Sequence, residues 1–346
     1  MKERNKQMAL MTLFATVLVV IGHSDITSDY KESWIYKWCY SFHMPLFFFI
    51  SGFLFCLTNP VERLRKTSCI AFMRRKGARL LLPFFFINSL IFLIKALIIH
   101  DTAMMQHPVS FSWDSFVDST FFHPIGFMWF LPTLFLIFAM AYPILKLQLY
   151  FNRLPTSLIN GNWGGRKPLI IMVLTTIVVF WLLDCIIPTI YFLRISSAIQ
   201  NMPYFFVGVL YCIQKETVDR FILRYKYFLI AAFGFLSISL LSTGHLAAFT
   251  GIFFSTVIAL VVADKFGSKM LHLSEYTYQV FLLSYFVQMF IRGPVAQHWC
   301  SNVNQYVLSV FSFVAGLVFP LLFCEIFTRL RGNNRMLTWC GRLIGL

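Results

Sequence analysis

Two histidines at the edges of apolar runs are the groups best suited to chemistry. His23 closes Val19-Val20-Ile21-Gly22-His23, and His43 lies in Phe42-His43-Met44-Pro45-Leu46-Phe47-Phe48. A neutral imidazole, with an ordinary pKa near ~6.5, takes a proton from a hydroxyl at neutral pH. Ionisable groups within membrane spans are costly and mark functional candidates. The plainer reading of His23 is an interfacial histidine at a helix end. Eight residues beyond His43 come Ser51 and Gly52, which serve either a ligand or helix packing. The third group is basic: Arg74-Arg75-Lys76-Gly77-Ala78-Arg79. Arg75 and Arg79, four apart, share a helix face, and paired guanidinium groups hold phosphates in bidentate fashion. A stop-transfer anchor is the alternative. No metal site is expected. The eight cysteines form no CxxC pair, and His100, His107 and His123 make no tight ligand spacing.

The elements that must position these groups are set by composition. Of 346 residues, 58% are apolar, 12% are charged and 41 are Phe. So little polar surface cannot cover such a volume in water, which excludes a soluble globule, a disordered chain and a disulfide miniprotein. About 20 apolar residues cross a bilayer. Ten segments qualify, at 8–26, 38–58, 80–99, 127–147, 169–188, 198–213, 227–243, 246–263, 276–292 and 305–327. Pro83, Pro132, Pro143, Pro203 and Pro320 lie within them, which membrane helices tolerate.

Charge orders the spans. The formal net charge is +15, a value that suggests nucleic acid in a soluble protein. With the N-terminus inside, 24 of the 29 Lys and Arg fall on inner segments and four on outer ones, as the positive-inside rule expects. The excess is therefore topological, and no nucleic-acid partner is expected. The prediction is an all-α polytopic bundle of about ten transmembrane helices with both termini cytoplasmic. It forms a single integral-membrane domain over 1–346. The first segment resembles a signal peptide, but no small-x-small cleavage site follows it, so a retained first helix is expected. Gln148 to Pro168 reads as a flexible inner loop, and a Cys39–Cys300 outer pair is a further possibility.

His23 at the end of the first helix, the FHMPLFF stretch of Phe42–Phe48 with Ser51-Gly52-Phe53, and Arg74-Arg75 with Arg79-Leu80 and Pro83 resemble the membrane-bound acyltransferase-3 family. The closer likeness is to its fucose 4-O-acetylase-like branch. Trp129-Phe130-Leu131, Phe205-Phe206-Val207-Gly208 and Tyr276–Leu283 are similar to further family signatures. The resemblance implies ten spans and an O-acyltransferase that moves acetyl from cytosolic acetyl-CoA to a hydroxyl of a cell-surface or lipid-linked sugar. The expected place is a bacterial inner or plasma membrane. On that reading His23 is the base, and His43, Trp129 or Ser51 supplies hydrogen bonds. Arg74, Arg75 and Arg79 hold the CoA phosphates, and Ser284 supports the site. Transfer is either direct or through an acyl-histidine relay.

The chain departs from the family at two positions. Thr12 stands where a basic residue often lies eleven positions before the histidine, and Ser284 stands where many members carry a histidine. A non-enzymatic transporter of a polysaccharide precursor is the competing class, and inverted repeats would distinguish it.

Overall fold

Asn5 begins the first helix by accepting a hydrogen bond from the Met8 amide at 3.2 Å, which satisfies one of the free donors of the opening turn. From there the chain is helical wherever its apolar runs predict. The computed structural model describes residues 5–24, 33–58, 64, 66–97, 109–151, 167–265, 267–292, 295, 302–332 and 334–346. Ten principal helices coincide with the ten segments. They are α1 (Lys6–His23), α2 (Trp34–Thr58), α3 (Cys69–Leu97), α4 (Phe130–Phe151), α5 (Lys167–Ile186), α6 (Ile195–Ile213), α7 (Lys226–Ser239), α8 (His245–Val262), α9 (Thr277–Phe290) and α10 (Gln305–Arg331). No strand occurs among the described residues.

Seven of the ten are long and apolar enough to cross a membrane by themselves. The other three are α6, α7 and α9. Fourteen residues of α7 reach about 21 Å at 1.5 Å each, short of a ~30 Å hydrocarbon core. The chain bends by 93° between α7 and the preceding helix Lys215–Arg224. α9 is also 14 residues long, but a 3-10 turn at Ser274–Tyr276 leads directly into it.

The core is aromatic and centres on α2. Gly52 of α2 faces the Phe205 carbonyl and Gly208 of α6 faces the Phe49 carbonyl, so closely that a Cβ at either would overlap backbone. Glycine at both positions lets the two helix backbones meet without side chains between them. At Gly251 of α8 the space a Cβ would need is filled by the Phe42 side chain of α2. α1 packs against α2, α8, α9 and α10.

Two helices are peripheral. Only 17% of the apolar window of α5 is buried, against 61% for α2. Val178, Trp181, Val310, Phe311 and Phe319 stay exposed on α5 and α10, which suits a lipid-facing surface.

At the start of α1, Gln7 donates to the Tyr211 hydroxyl at 2.7 Å, and that hydroxyl donates to Asp219 at 2.5 Å. Lys215 pairs with the same carboxylate. This network joins α1, α6 and the Lys215–Arg224 helix at the end opposite His23. Asp25, His100, His107, Cys300 and most of the 148–168 loop lie outside the described residues. Cys39 is buried as a free thiol.

Candidate active site

His23 is the last residue of α1, where the helix runs out of main-chain donors. Its Nδ1 lies 2.8 Å from the Val19 carbonyl. A carbonyl only accepts, so Nδ1 carries the hydrogen, and in the neutral ring the lone pair is on Nε2. That leaves Nε2 as the nitrogen able to accept a proton. The preceding turn is held from outside: Gln288 of α9 donates from Nε2 to the Val20 carbonyl at 2.8 Å. Ser24 caps the helix, with its amide and hydroxyl both bonded to the Ile21 carbonyl.

Three aromatic rings surround the imidazole. Phe127 meets it edge-on at 5.3 Å, Tyr285 edge-on at 6.2 Å, and Tyr40 lies tilted at 6.1 Å. Each comes from a different element. Phe127 sits in the 3-10 turn Gly126–Trp129 that opens α4, Tyr285 is on α9, and Tyr40 is on α2. Gly126 adopts φ +59, a left-handed conformation that glycine adopts at little cost, and an added Cβ would press on the Tyr285 ring at 3.0 Å. Gly22 lets the Tyr40 ring lie against the last turn of α1, where the Tyr40 hydroxyl donates to the Gly22 carbonyl at 3.3 Å.

His43 repeats the tautomer arrangement. Its Nδ1 lies 2.7 Å from the Cys39 carbonyl, which again leaves Nε2 with the lone pair. It is almost fully buried. The Tyr40 ring stands edge-on to it at 4.8 Å, so Tyr40 touches both histidines. The two histidines therefore share one region through an intervening tyrosine.

The remaining predicted residues are spread along the bundle. Ser51 lies two turns further along α2, half-buried. Trp129 is half-buried, its ring 6.4 Å from Phe48. Ser284 is fully buried, and its hydroxyl has no hydrogen-bond partner among the described residues.

Arg74, Arg75 and Arg79 are exposed along the early turns of α3. Lys76, between them in sequence, points inward instead, with Nζ 3.8 Å from the Phe138 ring centre. The basic block is thus joined to the bundle by a cation–π contact, while its three arginines are free to meet a solvent-borne ligand.

The basic block and His23 are connected through α9. The Tyr278 hydroxyl donates to the Arg79 carbonyl at 2.9 Å. Seven residues on, about 10 Å along the helix, Tyr285 meets His23. Phe281 lies between, 4.5 Å from Phe127, 5.4 Å from Phe130 and 5.6 Å from Phe47. A helix that spans the bilayer separates its two ends by ~30 Å. The structure shortens that path, because Arg79 is ten residues inside α3 and is reached by a long tyrosine.

Sequence reasoning missed Tyr40, Phe127, Tyr285 and Arg292 as parts of the site. Arg292 lies two residues past the end of α9. Its guanidinium carbon is 5.7 Å from the Tyr285 ring centre, and its Nε donates to the Gln288 carbonyl at 3.3 Å. With Thr12 engaged in a helix-internal bond to the Met8 carbonyl, Arg292 supplies a basic group close to His23 from elsewhere in the chain.

The chain matches the acyltransferase domain of the acyltransferase-3 family over residues 7–329. It belongs to that family. The match covers nearly all of the bundle, including His23, His43 and the basic block, and it decides for a membrane acyltransferase over a transporter. No curated protein and no solved structure matches the chain. Among the described residues no cluster of His, Cys, Asp and Glu could hold a metal ion.

Proposed function

We propose that this acyltransferase moves an acetyl group from acetyl-CoA, held at Arg74, Arg75 and Arg79, to a sugar hydroxyl presented to His23. The observation that carries the reading is the fixed tautomer of His23. Its Nδ1–H is committed to Val19, and Nε2 is left as the acceptor within a ring of aromatic side chains. Aromatic faces also suit the apolar faces of a sugar. The likeness to fucose 4-O-acetylases supports a sugar acceptor on a cell surface or on a lipid carrier. The charge bias supports a cytosolic basic block and an acceptor arriving from the opposite side, in a bacterial inner or plasma membrane.

The reaction follows from these placements. His23 Nε2 takes the hydroxyl proton as the oxygen attacks the thioester carbonyl. A tetrahedral oxyanion forms and collapses, the C–S bond breaks, and CoA leaves as the thiol with the proton returned by the imidazolium. The α9 connection supports direct transfer, since Tyr278, bonded to the Arg79 carbonyl, and Tyr285, beside His23, are about two turns apart on one helix. We assign His43 to holding Tyr40 against His23, and Trp129 and Ser51 to lining the passage.

The test is acetyl transfer by the full chain purified in detergent, with radiolabelled acetyl-CoA and a panel of sugar acceptors. Transfer that disappears in His23→Ala, with the elution profile and helical content kept, is the expected result. Transfer at the original rate in that variant overturns the base assignment. Equal use of non-sugar alcohols removes the sugar from the reading.

A further inference from the structure

Arg292 is placed beside the proposed reaction centre but is separated from the imidazole by one ring. Tyr285 meets His23 at 6.2 Å and the Arg292 guanidinium carbon at 5.7 Å. The guanidinium is oriented by two contacts, the Gln288 carbonyl at Nε and the tyrosine ring. Only one of its five N–H groups is used. It forms no ion pair among the described residues, and its Nη groups have no partner there. For a half-buried cation at the end of a membrane helix, an anionic partner offsets the cost of burial. Its free face is a planar fork that matches a carboxylate or phosphate in bidentate fashion.

We propose that Arg292 anchors an anionic group, a phosphate or a carboxylate, on the acceptor sugar whose hydroxyl reaches His23. This rests on the acyltransferase reading of the His23 site. The spacing selects this role over stabilisation of the tetrahedral oxyanion. An oxyanion forms beside the base, whereas the Tyr285 ring stands between the imidazole and the guanidinium, its centre 6.2 Å from the one and 5.7 Å from the other. An acidic substituent across the sugar ring from the reacting hydroxyl meets both groups at once. The acceptor class is therefore an acidic sugar or a sugar phosphate.

The test is calorimetric titration of the full chain in detergent, without acetyl-CoA, using glucose 1-phosphate, methyl glucuronide and methyl glucoside as probes. The wild type should bind at least one anionic probe about tenfold or more tighter than the neutral one, the effect of a charge-assisted hydrogen bond. Whichever anionic probe gains more identifies phosphate or carboxylate. Arg292→Ala and Arg292→Gln should each remove the preference, and Arg224→Ala, at the exposed end of the Lys215–Arg224 helix, should leave it in place. Equal binding of charged and neutral probes by the wild type overturns the proposal. So does a preference that survives in both Arg292 variants, or one that Arg224→Ala removes. Because binding is read without donor, a failure of acetyl transfer leaves this result standing. Loss of the preference argument alongside His23-dependent transfer would remove only the anionic acceptor.

Discussion

His23 and Arg79 both connect to α9, yet they are held by opposite means. At the His23 end the polar groups are tied to main-chain carbonyls: His23 to Val19, His43 to Cys39, Gln288 to Val20 and Tyr40 to Gly22. Aromatic rings from α2, α9 and the 3-10 turn before α4 close around them. At the other end Arg74, Arg75 and Arg79 are exposed on α3, and only Lys76 is packed. The difference suits the proposed tasks. A base must be fixed in one tautomer and direction, whereas a phosphate from solution is met well by long cationic chains that adapt to it.

The largest test of this contrast is His23→Ala. Loss of a positioned base lowers the rate by about 10²–10⁴-fold. The expectation is a drop of that size in kcat with donor affinity unchanged, measured by single-turnover transfer beside acetyl-CoA titration. His43→Ala should fall well short of it, because Tyr40 separates His43 from the base. Equal losses in both variants would make the two histidines one catalytic unit.

The next effect belongs to the basic end. Arg75→Ala and Arg79→Ala should each weaken acetyl-CoA binding by roughly tenfold to a hundredfold, the size of a charge-assisted hydrogen bond. Exposed charges are screened by salt, so donor affinity in the wild type should fall between low and high ionic strength while kcat at saturating donor holds. Donor binding that ignores both the arginines and the salt would reduce the block to a topology signal.

These two ends were not equally legible in the sequence. The spans were readable because a backbone in lipid must bond to itself, so length and hydropathy report helices directly. Each of the ten segments is helical, although α7 and α9 are shorter than the hydropathy alone suggests. His23 and the arginines stood out as ionisable groups in or beside apolar runs. The rings around His23 did not. Phe127, Tyr285 and Tyr40 belong to a sequence with 41 Phe and 14 Tyr, where one more aromatic residue carries no signal. Their role comes from the packing of α1 against α2 and α9, a long-range arrangement that local periodicity does not encode. Gly52 was readable as a point of close approach, but its partner, the Phe205 carbonyl, was not.

A smaller effect should separate positioning from chemistry at the His23 end. Gln288 is fully buried and donates to Val20, three residues before the base. Gln288→Leu leaves that carbonyl without its donor, at a cost of about 1–3 kcal/mol shared between stability and the geometry of the last turn. We expect a lower melting temperature and a kcat reduced severalfold with KM for the donor unchanged. A rate equal to the wild type with only the melting temperature lowered would make Gln288 a structural tie and nothing more.

The smallest effect tests whether the two ends communicate through α9. Tyr278→Phe removes one hydroxyl and one hydrogen bond to the Arg79 carbonyl, and keeps the ring. A single such bond contributes about 0.5–1.5 kcal/mol net. The carbonyl it leaves is on α3, so the change should loosen the register between α3 and α9 and appear as a few-fold rise in KM for acetyl-CoA. The His23 environment should be untouched, since Tyr285 is two turns away on the same helix and keeps its own contacts. Single-turnover rates at saturating donor should therefore match the wild type. If they fall as far as KM rises, the Tyr278 bond is setting the distance from thioester to hydroxyl, and α9 is the element that measures it.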